Sequence, residues 1–158
     1  MLGPLIALAL VGAPSAQFDG FGAAPSPRAS ASVPDTPFVA ASKVLLLAHE
    51  AEGVFFVDNL IYASGTGDQL ATLQGIEPKV AWGKDVIVQL PTDEFADSEV
   101  VILRAPLPGG GSLCMAEVSE VQDAGTYYAR VAGGAKCPAR KPGMPGWTDS
   151  KEAGWGTA

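Results

Sequence analysis

The sequence has one histidine, two cysteines, and ten Lys and Arg against 17 Asp and Glu. It also contains no apolar run of the roughly 20 residues that a bilayer-spanning helix needs. Each scarcity excludes something. A net charge of −7 argues against a protein that grips nucleic acid through its phosphates. Five of the cations, Arg130, Lys136, Arg140, Lys141 and Lys151, fall among glycines and prolines near the end, which reads as a solvated tail. A single histidine, His49, far in sequence from Cys114 and Cys137, leaves a tetrahedral zinc site short of the four ligands it wants. There is no G-x-S-x-G elbow, and the glycine-rich stretches SGTG (64–67) and PGGGS (108–112) lack the lysine and helix of a phosphate loop. The sequence therefore predicts no enzyme and no cofactor.

What is present begins with MLGPLIALALVGAPSA (1–16), an apolar run followed by small residues, like the core and cleavage region of an export signal. Residues 1–16 are expected to be such a signal or a short apolar anchor, so that any membrane association is peripheral or N-terminal. Residues 17–37, rich in Ala, Ser, Gly and Pro, cannot bury enough apolar surface to order themselves and read as a linker. The expected domain is 38–145, with a flexible tail over 146–158. Export would place Cys114 and Cys137 in an oxidising compartment, where a disulfide between them is the preferred reading.

Residues 38–62 predict a long helix. At 100° per residue, Ala41, Val44, Leu45, Ala48, Ala51, Phe55 and Phe56 share one side, and Lys43, His49, Glu50 and Gly53 lie roughly opposite. Leu46 and Val57 project toward the polar side and are candidates for contact with another subunit. Thr36 and Pro37 supply a start signal. A short helical turn is expected at QLATL after Asp68. From residue 85 the period becomes that of strands: 85–90, 98–105, 112–118 and 126–131. Their connections are too short for crossover helices, so an antiparallel meander follows. The expected fold class is α+β, one long helix packed on a four-stranded antiparallel sheet.

Four segments, AHEAEGVFFVDNLIYAS (48–64), LQGIEPKVAWG (73–83), SLCMAEV (112–118) and GTYYARVAGGAKCP (125–138), together resemble the globular headpiece of type IV pilin-like and pseudopilin proteins. The resemblance implies a helix lying across an antiparallel sheet, with a late disulfide. It also implies a non-catalytic structural or interaction module of the cell surface, a secretion pseudopilus or an envelope assembly, with protein partners among which a second copy of the chain is one candidate. The chain departs from filament-forming members: Gly20 and Phe21 are followed by GAAPSP rather than by a long apolar stem. A second expectation, from a different class, is a secreted module that binds sugar or peptide.

Two further groups are candidates. Asp93, Glu94, Asp97 and Glu99 gather between the first two strands, and calcium is the one metal they suit, although the twelve-residue cation loop is missing. Of the aromatics Trp82, Trp147, Trp155, Tyr62, Tyr127 and Tyr128, Trp147 stands out as an interface candidate because it lies beyond the expected core. DAGTYYA (123–129) resembles the corner motif of immunoglobulin domains, but Ala129 occupies the place of its cysteine.

Overall fold

The computed structural model describes residues 36–89, 99–120, 122–138 and 145–156, all within one unit spanning 34–158. The expected export segment, the linker up to residue 35, and Asp93, Glu94 and Asp97 lie outside the described residues.

The first described element is α1, Pro37–Asn59. It starts where the sequence signals a start: the Thr36 side chain accepts from Val39 N at 3.3 Å, and Pro37 takes the first turn, where no N–H is needed. Its buried side is Ala41, Leu45, Ala48, Ala51, Glu52 and Phe55. It stops three residues earlier than the apolar pattern suggests. Leu60 turns left-handed (φ 58°), and its N–H closes on Phe56 O at 2.7 Å. The expected short turn is a ten-residue helix, α2 (Gly67–Ile76), whose Leu73 fills a small core with Ala51, Phe55 and Ala63.

Four strands follow: β1 (Ile87–Gln89), β2 (Val100–Pro106), β3 (Ser112–Val118) and β4 (Gly125–Val131). They pair in chain order, each antiparallel to the next. Alternation sorts their side chains between two faces. Val101, Leu103, Ala105, Leu113 and Met115 meet Ala41, Leu45 and Ala48 of α1. Val100, Ile102, Cys114, Ala116, Val118 and Ala129 form the opposite face, where Cys137 and Trp147 cover them.

Cys114 and Cys137 are bridged, with Cα atoms 5.7 Å apart, so the loop after β4 is stapled beneath the sheet. Such a bond belongs to an oxidising compartment. Among the described residues no helix is long and apolar enough to cross a membrane.

The expectation of a flexible tail from residue 146 is corrected. Thr148 pairs with Tyr128 of β4 through both backbone bonds, at 2.7 and 3.1 Å. A third helix, α3 (Lys151–Trp155), then carries Trp155 into the core. Trp155 is 1% exposed, stands edge-on to Tyr128 and donates from Nε1 to Cys114 O at 2.7 Å. Gly154 permits that approach, because a Cβ there would lie 2.6 Å from both Cβ and O of Tyr128. The domain therefore runs through residue 156, and its layers are held at the β4 edge by a segment whose Gly and Pro content points to coil.

Candidate functional site

The solvent side of α1 carries the first candidate. Lys43, Leu46, Glu50, Gly53, Val57 and Leu60 are all exposed, and their spacing alternates three and four residues, so they form one seam along the helix. Val54 flanks it. The apolar members are the large hydrophobic residues most exposed among those described: Leu46 36%, Val54 50%, Val57 75% and Leu60 74%. Leu46 and Val57, singled out from the helical period, do face solvent together. Val54 joins them from within the helix, and Leu60 from the left-handed cap that ends it. Continued to residue 62, the helix would carry Leu60 onward in regular geometry rather than at the left-handed cap.

Gly53 sits at the middle of the seam with nothing within 4 Å of where a Cβ would be. A glycine inside a helix costs about 1 kcal/mol relative to alanine. Nothing among the described residues packs against it closely enough to require it.

Behind the seam lies a polar cluster between α1 and the sheet. His49 Nε2 is 3.0 Å from Glu117 Oε2 on β3, and Thr126 of β4 donates to the same oxygen at 2.6 Å. Burial pushes the Glu117 carboxyl up, but the bonds from His49 and Thr126 outweigh it and hold the group below the ordinary carboxylate value. Glu52, fully buried one turn further along α1, accepts from Ala63 N at 2.9 Å through Oε2. Its Oε1 has no hydrogen-bond partner. Burial pushes its pKa up to about 7, against the lowering effects of the Ala63 bond and the charge of His49. Tyr62 next to it is pushed up to about 12, by burial and then by the charge of Glu117.

This cluster differs from expectation. His49, placed among the polar-side residues, reaches back to β3. Glu52 points inward, and the signal that could have found it is its position, seven residues after Leu45 and four after Ala48. Chemically, the cluster holds protons and pins the turn after α1. Glu52 is 0% exposed, so a substrate cannot reach this carboxyl, the one raised toward neutrality among the described residues.

The remaining candidates divide. Trp147 is 8% exposed and packs beside Cys137, so the expectation of an interface role is corrected: it belongs to the core of the second sheet face. The other five aromatics are buried or half-buried as well, which leaves no exposed aromatic platform among them. Glu99 is exposed just before β2, where its carbonyl accepts from Ser119 N at 2.9 Å. Among the described residues no three acidic, His or Cys side chains are grouped to hold a metal. A groove of about 400 Å³ opens at the N-terminal end of α1, with Ala40, Val44, Pro106 and Pro108 along it and Lys84 and Asp85 at its rim. Comparison with protein-family models, with curated proteins and with solved structures returns no match.

Proposed function

We propose that this chain is an exported, non-catalytic interaction module with a pilin-like head, contributing contacts to a cell-surface, pseudopilus or envelope assembly through the outward face of α1. The carrying observation is the seam of Leu46, Val54, Val57 and Leu60, exposed on a helix whose other side is buried against the sheet and α2. The disulfide supports an extracytoplasmic destination.

Magnitudes say what kind of contact this is. The four side chains expose roughly two whole side chains' worth of apolar surface, worth about 3–6 kcal/mol if covered. Association costs about 4–15 kcal/mol in lost freedom. A partner must therefore bring comparable apolar surface of its own or act at high local concentration, as subunits of an assembly do.

The test is a photo-crosslinking residue at position 57, with position 79 as the control, in the organism that makes the protein. A protein adduct from 57 and none from 79 is expected. Equal yields from both, or none, would remove the reading. N-terminal sequencing of the exported protein checks destination and processing together.

The groove beside α1 favours a second reading, a secreted module that takes a short apolar peptide. Its aliphatic and proline lining suits peptide side chains better than sugar hydroxyls.

A further inference from the structure

We infer that the partner of the α1 seam is a second copy of this chain, its α1 laid antiparallel about a two-fold axis passing between Ala51 and Glu52. The inference rests on the interaction-module reading and names the partner for it.

The register follows from the residues. The exposed seam runs Lys43, Leu46, Glu50, Gly53, Val57, Leu60. Reversed on itself about that axis, it sets Leu46 against Val57 of the second copy, Lys43 against Leu60, and Glu50 against Gly53. These are the cross-layers of an antiparallel helix pair, and this axis uses the whole seam, whereas a shift of one heptad would set Glu50 against Leu46 or Leu60. Each apolar member meets an apolar residue or the stem of a lysine. The one bulky anion on the seam, Glu50, meets the one position with no side chain. That gives Gly53 the role it lacks within the domain, since the space around it is open.

Charge selects the same orientation. A parallel pair in register would oppose Lys43 to Lys43, Glu50 to Glu50 and Asp58 to Asp58, on a chain that already carries −7. In the antiparallel pair, Lys43 is level with Leu60 of the second copy. It lies two residues, about 3 Å along the axis, from the level of Asp58, which is also exposed. α1 has no acid in its first turn and no base in its last. The second copy brings Lys43 toward that uncomplemented C-terminal end, and the two helix dipoles oppose each other favourably. A two-fold contact of this kind closes on itself and buries the same patch on both copies.

The experiment is sedimentation equilibrium of the full chain over a concentration series. The wild type is expected to form a reversible dimer. Lys43→Glu and Asp58→Lys should each weaken it about tenfold, and an equimolar mixture of the two should recover wild-type association, because each then faces its opposite sign. Gly53→Leu should raise monomer stability to urea and lower association, opposite signs that a folding defect does not produce. A mixture of Leu46→Cys and Val57→Cys proteins should form an interchain disulfide, and Leu46→Cys alone should not. A monomer persisting to about 1 mM, no recovery on mixing, or cross-linking of Leu46→Cys to itself would overturn the pairing. An adduct from position 57 to a different protein, with no self-association, would remove the second copy and leave the interaction-module reading standing.

Discussion

Glu52 is the residue whose chemistry departs furthest from its sequence neighbourhood. Its carboxyl has a folded pKa of about 7 against an ordinary 4.5, raised by burial. The folded state therefore binds more protons than the unfolded chain between those values. The favourable contribution is full below pH 4.5 and is lost as pH rises through 7, to about 3 kcal/mol. Glu117 works in the opposite sense and a different window: its lowered value contributes stability above the unfolded pKa, lost only as pH falls through the folded one. The other groups facing Glu52 are His49 on its own helix and Tyr62 in the turn. Thermal melts from pH 5 to 8 should show a falling Tm in the wild type and a nearly flat one in Glu52→Gln, whose amide oxygen can still accept from Ala63 N. An unchanged slope would mean that Glu52 is not the group titrating.

At the scale of elements, the pieces whose apolar residues repeat were legible and the others were not. Inward positions of α1 and all four strands follow from periods of 3.6 and 2, because burial selects side chains at the repeat of the backbone. The end of α1 was less legible, since Leu60, Ile61 and Tyr62 continue the apolar pattern while the backbone reverses at Leu60. α3 was not legible at all. Five residues containing a glycine have no apolar period of their own; the Ser150 side chain caps them by accepting from Ala153 N, and Trp155 against Tyr128 and Cys114 O seats them. Gly154→Ala tests this directly. An added methyl would collide with the Tyr128 backbone, and urea titration should show a loss of about 1–3 kcal/mol, where a helix-propensity argument alone predicts a gain.

For the whole molecule, the cross-link and the terminal segment matter more than their length suggests, because they cover what α1 leaves open. The Cys114–Cys137 bridge closes a span of 23 residues and holds Cys137 against the second sheet face with Trp147. Reducing it should lower stability by roughly 3 kcal/mol, read as a shift of the urea midpoint with and without reductant. A midpoint that does not move would make the bridge incidental to the fold. The sequence by itself determined the class of structure, the meander order, the helix start and the outward place of Leu46 and Val57, since these depend on local periodicity and on connection length. Only the tertiary structure decided that Glu52 meets the Ala63 N–H beyond the helix end, that His49 meets Glu117 across 68 positions of chain, and that the last tryptophans belong to the core. Those outcomes depend on which distant surfaces come together, and no local pattern carries that information.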